Sequence, residues 1–438
     1  VILRIFLSLV YQGLKLLVQL YQLVYFPFTT FRHRERLDFE GPGIIVSNHP
    51  NTMVDPLHVV SRTPRQIFFL ANASMFKNRV AGFLLNHLYC IPIKRPGKDE
   101  GNKLTKVNNY ESFRRSYEHL AQGGCLFIAP EGGSELERRL RPIKTGTARI
   151  ALGAEAANGF QLGLHIYPVG LTYEHPTQCG SRLYMEAGSA LRVADWQAAY
   201  EADPIAAVRD LTAYLEREMQ TLILHTADET QDQLLYRLQS ILQNDAPLPV
   251  AAHYDRTRLL LQRLQAEAED NPAGYANLVA KAATYRSQLK AAGLRDRGVS
   301  QAAKPLLSLP VLLGWPLWLY GRVNNFFAYE IPRLIERKMG LYIGYRTTVK
   351  VVSGTFFSFP VFYTLQYLLA RYLLPAPWPL LYLVSLPVSG ILAWAYARHF
   401  QPRWEAYRWR QWQRQHPAAA ADILAQRCEL TAFVRGGE

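Results

Sequence analysis

The sequence predicts an α/β catalytic domain with a mixed sheet and covering helices, followed by a helical subdomain and C-terminal transmembrane helices. Three observations carry this. Short apolar runs alternate with amphipathic stretches from Gly41 to about Tyr173, as in a sheet covered by helices. Charged, helix-favouring sequence then runs from Asp195 to about Gly298, and long apolar stretches fill the last third.

The expected strands are Gly43–Ser47, Gln66–Ala71, Cys90–Lys94, Cys125–Ala129 and Leu164–Leu171. Between the third and fourth, Val107, Tyr110, Phe113, Tyr117 and Leu120 recur at helical spacing, and Gly123-Gly124 stops the helix. Helices are expected over Pro204–Ala227 and His253–Ala268, with a break at Pro272 and Gly274. Domain boundaries are expected at 1–36, 37–194, 195–300 and 301–438.

Val1–Phe28 reads as a helix lying in or dipping into a membrane interface, because Arg4, Gln12, Lys15, Gln19 and Gln22 interrupt it and aromatics flank it. It lacks a signal-peptide cleavage site and is expected to be an anchor; the missing initiator methionine suggests a trimmed N-terminus. An ordinary core helix is the plain alternative. The basic cluster Arg32, His33, Arg34 and Arg36 suits an anionic cytoplasmic leaflet. Val351–Leu373 and Pro377–Ala397 are long enough to span a bilayer and would form a hairpin over about 351–397. Basic flanks on both sides place its ends, and the catalytic domain, on the cytoplasmic side of an integral membrane protein.

Hydrophobic residues are 49% of the 438-residue chain and charged residues 19%, which argues against long disorder. The net charge of +14 suits anionic lipid or phosphorylated substrates, and no nucleic-acid signature accompanies it. Cys90, Cys125, Cys179 and Cys428 have no spacing of a zinc site or a disulfide framework. No metal ligand set is apparent, since His49 and His58 lack a carboxylate partner at helical ligand spacing.

The strongest chemical signal is Ser47-Asn48-His49-Pro50-Asn51-Thr52-Met53-Val54-Asp55-Pro56, directly after an apolar strand. Such a position delivers side chains to the carboxyl edge of a sheet, where α/β proteins bind ligands. A histidine there can take a hydroxyl proton, with Asp55 fixing its tautomer. Asp55 before Pro56 reads equally as a helix cap, and Asn48 or Asn51 as turn residues. The second signal, Pro130-Glu131-Gly132-Gly133-Ser134, leaves another strand through a glycine turn whose amides can approach a phosphate or oxyanion. Arg138, Arg139, Arg141 and Lys144 follow it, as phosphate ligands or as a solvated basic loop. Third, Ile91–Pro96 ends a strand in Lys94-Arg95, where Arg95 suits bidentate phosphate binding. Fourth, Ile166–Leu171 is an apolar strand whose Pro168 suggests an edge or bulge.

In order and spacing these four pieces resemble the motif blocks of the glycerol-3-phosphate and lysophosphatidate acyltransferase superfamily. On that resemblance His49 and Asp55 are the His-Asp dyad, Arg95 ends the second block, Glu131 and Gly132 form the core of the third, and Pro168 belongs to the fourth. Lys144 and Gly146 match a lysine-glycine pattern after the third. Five residues separate His49 and Asp55 where the family usually has four, and the third block reads Pro-Glu-Gly-Gly-Ser-Glu instead of Pro-Glu-Gly-Thr-Arg-Ser. Both variants resemble the fungal-type glycerol-3-phosphate acyltransferases. The resemblance implies acyl transfer from acyl-CoA or acyl carrier protein to glycerol-3-phosphate, with lysophosphatidate as the alternative acceptor, no cofactor and no acyl-enzyme. It implies that Arg95, Glu131, Gly132, Gly133 and Lys144 position the acceptor, with Arg138 or Lys144 replacing the missing third-block arginine. A hydrolase is disfavoured because Leu136 stands where Gly-x-Ser-x-Gly needs its second glycine. A lipid-binding membrane protein without enzymatic activity is the competing reading.

Overall fold

The computed structural model describes residues 2–76, 79, 82–83, 85, 89–94, 109–300, 305–340 and 343–436. Arg95 and Val107 lie outside them. The described chain divides into two units, Val1–His225 with Ile343–Thr348, and Thr226–Tyr342 with Val349–Glu438.

Among the described residues the first unit is built on eight strands: β1 (Phe28–Arg32), β2 (Gly43–Ser47), β3 (Ile67–Asn72), β4 (Cys90–Ile93), β5 (Cys125–Ile128), β6 (His165–Tyr173), β7 (Arg182–Ala187) and β8 (Leu191–Arg192). Their order is β1-β7-β6-β2-β5-β3-β4, with β8 also on β6. β2 pairs in parallel with β5 and β6, while β7 and β8 run antiparallel to β6. The sheet is therefore mixed.

Every residue of β2 is buried, which is why its sequence is a continuous apolar run. Ile44 and Val46 pack on one face with Leu126, Ile128 and the helix Gly146–Ala157; Ile45 packs on the other with Phe127, Tyr167 and Val59. Each such side chain contributes about 1.5–3 kcal/mol on burial. The helix Tyr110–Ala121 forms where its periodicity predicts, ending at Gly123, whose φ of 76° suits glycine.

Three elements differ from expectation. Phe28–Arg32, inside the stretch read as a membrane helix and basic flank, is an edge strand paired with β7. The basic cluster after it is partly bound internally: Arg34 donates to the Arg62 carbonyl and Arg36 to that of Ala187. The helix Pro204–Thr221, read as the start of the helical subdomain, belongs to the sheet unit. Its Ala207, Leu211, Leu215 and Met219 recur every four residues and join the core around Val46. Pro168 sits inside the sheet, not at its edge, at the point where β6 exchanges β8 for β7 as its outer partner, so its missing N–H breaks no ladder there.

The N-terminal helix Ile2–Tyr25 reverses the usual amphipathic arrangement. Lys15, Gln19 and Gln22 lie on one face and donate to the carbonyls of Thr63, Ser61 and Leu57. Arg62 and Ser61 both donate to the Gln22 amide oxygen. Phe6, Leu9, Leu16, Leu20 and Leu23 are exposed on the rest of its surface. The polar face is docked on protein and the apolar face is bare.

The second unit is helical. Glu229–Asp245, Val250–Asp270 and Pro272–Ala291 are capped by residues such as Asp228 and Asn271, whose side chains accept from Gln231 and Gly274 amides. The expected break at Pro272 is a helix start with proline in its first turn. Leu309–Asn324, Phe359–Leu373 and Trp378–Gln415 carry most of the exposed large apolar side chains of this unit. At Gly321 a Cβ would collide with the Ser389 carbonyl oxygen, so this glycine lets two helices approach closely. Trp378–Gln415 is one 38-residue helix running past the expected span and through the following arginines. Among the described residues it is the one helix long and apolar enough to cross a membrane.

Candidate active site

β2 and β5 end side by side, with Val46 opposite Ile128, so their following turns meet beyond the carboxyl edge. The first turn carries His49 and the second Glu131. β6 keeps register with β2 to Ser47 opposite Val169, then continues four residues to Tyr173. That overhang brings Tyr173 alongside the His49 turn.

The Asn48 side chain extends the ladder where β2 stops. Its Nδ2 donates to the Leu171 carbonyl at 2.9 Å and its Oδ1 accepts from the Leu171 amide at 2.8 Å. With both amide functions occupied, the turn leaves the sheet at a fixed angle.

His49 Nδ1 stands 3.1 Å from Asp55 Oδ2, with the histidine side chain 19% exposed and the aspartate fully buried. Asp55 lies in the first turn of the helix Val54–Val60, and it is not the cap, a place held by Met53. Its Oδ2 also accepts from the Asn51 amide at 2.6 Å, and its Oδ1 from the Tyr173 hydroxyl at 2.6 Å. Three donors thus converge on one carboxylate. Since Asp55 only accepts, Nδ1 carries the imidazole proton and Nε2 keeps its lone pair. This is the arrangement of a general base with an orienting carboxylate. Burial, and then the Asp55 charge, hold the Tyr173 hydroxyl well above its ordinary pKa, so it remains a donor.

Glu131 was expected at the acceptor site, yet its carboxylate faces the protein. Oε1 accepts from the His49 backbone amide at 2.8 Å and Oε2 from that of Arg141 at 3.2 Å. Burial pushes its carboxyl up to about 7, while the two amides pull the other way. It ties the histidine turn to the following loop. Gly132 adopts φ 68°, where glycine is favoured, and Gly133 is half-buried. The exposed Lys144 runs over this turn, its Cγ 3.6 Å from where a Gly132 Cβ would lie. The loop's acidic residues pair with its arginines: Arg139 with Glu137 at 2.5 Å, and Arg141 with Glu137 at 3.0 Å and Glu135 at 3.5 Å.

The structure brings together His49, Asp55, Glu131, Gly132, Gly133 and Lys144. Sequence reasoning missed Tyr173 and the structural use of Asn48. The signal for Tyr173 was the greater length of β6, which exceeds β2 by four residues. His58 is fully buried, accepts from Arg62 at 3.2 Å, and is kept neutral by burial and by the Arg62 charge. Among the described residues no group of three potential ligands is arranged to hold a metal ion. None of the four cysteines forms a disulfide.

Residues 29–172, which span the His49 and Glu131 turns and most of the sheet, match the family model described as Acyltransferase. The chain is 30% identical over 204 residues to glycerol-3-phosphate O-acyltransferase 2 of Saccharomyces cerevisiae, covering 45% of this chain and 26% of the yeast protein. It is 26% identical over 202 residues to glycerol-3-phosphate O-acyltransferase 1 of the same yeast, with the same coverage. The chain thus spans about a quarter of the length of each relative. A crystal structure of the 1-acyl-sn-glycerophosphate acyltransferase PlsC from Thermotoga maritima aligns at TM-score 0.36 and 12% identity, over 49% of this chain and 79% of that one. The family match marks residues 29–172, about a third of the chain, as an acyltransferase domain.

Proposed function

We propose that this protein transfers a fatty acyl group from a thioester, acyl-CoA or acyl carrier protein, to the hydroxyl of glycerol-3-phosphate. The observation that carries the reading is the His49–Asp55 pair at 3.1 Å, at the sheet edge, with the histidine ring reaching solvent. No nucleophilic side chain is required, because the acceptor supplies the attacking oxygen. His49 Nε2 takes the hydroxyl proton as that oxygen attacks the thioester carbonyl. The resulting imidazolium is stabilised by Asp55, the C–S bond breaks, and the proton passes to the departing thiolate. The products are an acylated glycerophosphate and the free thiol carrier. Lys144 or Arg138 holds the acceptor phosphate, since Arg139 and Arg141 are neutralised by loop glutamates.

The enzyme works at a bilayer. The apolar outer face of Ile2–Tyr25 and the apolar helix Trp378–Gln415 support integral membrane attachment, because large exposed apolar surface is otherwise costly in water. The catalytic domain faces the cytoplasm, on the charge pattern of the flanks. Acyl transfer by detergent-solubilised protein, with glycerol-3-phosphate and lysophosphatidate offered separately, tests the reading. Product from glycerol-3-phosphate supports it, product from lysophosphatidate alone moves the enzyme one acylation further, and product from neither contradicts it.

A further inference from the structure

Between His49 and Asp55 the chain passes through Thr52, whose φ is 35°. A β-branched residue there is strained by about 1–3 kcal/mol and persists only when its surroundings impose it. Three hydrogen bonds do so. The Thr52 amide donates to Ser134 Oγ at 2.9 Å, which joins the two turns directly. The Thr52 hydroxyl donates to the Gly344 carbonyl at 2.8 Å, leaving Thr348 Oγ1 as the donor in the 3.0 Å contact with Thr52 Oγ1. Thr52 is 5% exposed and Thr348 8%, so water does not substitute easily for either bond.

Gly344 and Thr348 belong to Ile343–Thr348, the stretch beyond His225 that is part of the catalytic unit. A second link lies beside the first. The Asn51 side chain and the Thr347 hydroxyl both donate to the Pro176 carbonyl, at 2.8 and 3.0 Å. Asn51 in turn gives its amide to Asp55 Oδ2. The segment therefore braces Thr52 directly and meets Asn51, which holds the orienting carboxylate, through the shared Pro176 carbonyl.

We propose that Ile343–Thr348 is a positioning strap for the catalytic turn, and that Thr52, Ser134 and Thr348 are positioning residues acting through His49 and Asp55. The inference rests on the acyltransferase reading. With the strap bonded, Thr52 is held in its left-handed conformation and the His49–Asp55 geometry is set before substrate arrives. With it released, the turn relaxes toward negative φ and the dyad loses alignment, while the acceptor site around Lys144 is untouched. The expected signature is a fall in kcat at nearly constant KM.

The test uses the full chain in detergent, comparing wild type, Thr348→Val, Thr348→Ser and His49→Ala for kcat, KM and melting temperature. Valine keeps the shape and deletes the donor; serine keeps the donor. Thr348→Val is expected to lose roughly ten- to a hundredfold in kcat, the scale on which small misplacements act, with KM for glycerol phosphate within twofold and a melting transition near wild type, and Thr348→Ser is expected to recover most of the rate. An active wild type, a dead His49→Ala and a Thr348→Val whose kcat stays within twofold would overturn the strap and leave the acyltransferase reading intact. Should valine fail to fold, a Thr348→Ser enzyme with unaltered melting but a kcat more than roughly tenfold below wild type would also overturn it, because the hydroxyl would then not be the operative group. An inactive wild type, or a fully active His49→Ala, counts against the acyltransferase reading instead.

Discussion

Two polar networks, one buried in the first unit and one half-buried in the second, are built from similar parts and end in different states. Around Asp55, donors from His49, Asn51 and Tyr173 converge on one carboxylate. In the helical unit, Arg427 donates to Asp245 at 2.6 Å and Asp296 at 2.8 Å, and Tyr285 and Asn244 also donate to Asp296. The second network links four helices, and its charges answer one another within it. The first leaves a single group outward, the Nε2 edge of a partly exposed histidine. A closed network fixes packing; one with an open end presents a base of fixed tautomer to whatever occupies the neighbouring space.

Breaking the first network at its carboxylate has the largest expected effect on chemistry. Asp55→Asn reverses the tautomer preference of His49 and should lower kcat about 10²–10⁴-fold with melting little changed, read from steady-state rates and calorimetry. The matching cut in the second, Arg427→Ala, leaves Asp296 without its cation and Asp245 with only the exposed Arg435. It should cost about 3–5 kcal/mol in stability, seen in denaturant unfolding, with kcat per folded molecule within twofold. If Arg427→Ala instead lowered kcat without lowering stability, the distinction between the two networks would fail.

Lys144→Ala sharpens the comparison from the substrate side: KM for glycerol-3-phosphate should rise roughly 10–100-fold, the worth of one charge-assisted hydrogen bond, with kcat nearly unchanged. Glu131→Gln replaces one acceptor by a donor, so one of the two amides, His49 or Arg141, loses its partner; kcat should fall roughly tenfold through misplacement of the histidine turn. The same variant carries a pH signature. Burial raises Glu131 from 4.5 to about 7, so its contribution to stability is full below pH 4.5 and is lost as pH rises through about 7. The melting temperature of wild type relative to Glu131→Gln should therefore decline across that window, and a flat difference would contradict the burial argument. Tyr173→Phe removes one of three donors to Asp55 and has the smallest expected effect, a several-fold loss of kcat.

Much of the catalytic unit was legible because burial on both faces writes itself into β2 as an unbroken apolar run and because chemistry gathers where such a run ends. His49 and Asp55 are six residues apart, within reach of local reasoning. Tyr173 and Thr348 are not local: their places follow from the overhang of β6 and from a contact across nearly the length of the catalytic unit's chain order. β1 was hidden because an edge strand carries threonine and arginine, and β7, inside the sheet between β1 and β6, because Arg182 and Glu186 interrupt its short apolar run. The helix Ile2–Tyr25 shows a further limit. Lys15, Gln19 and Gln22 read as interruptions of an interfacial helix, whereas they share one face that is bonded to residues 57–63. Glu131 shows the same limit at one residue, since a carboxylate beside glycines looks like a substrate ligand until its two amide donors are located.

The most direct test of the central claim is the rate of acyl transfer from palmitoyl-CoA to glycerol-3-phosphate by wild type and His49→Ala at equal folded concentration. The account predicts product from wild type and a loss of about 10²–10⁴-fold or more in the variant. Undiminished transfer by His49→Ala would contradict it.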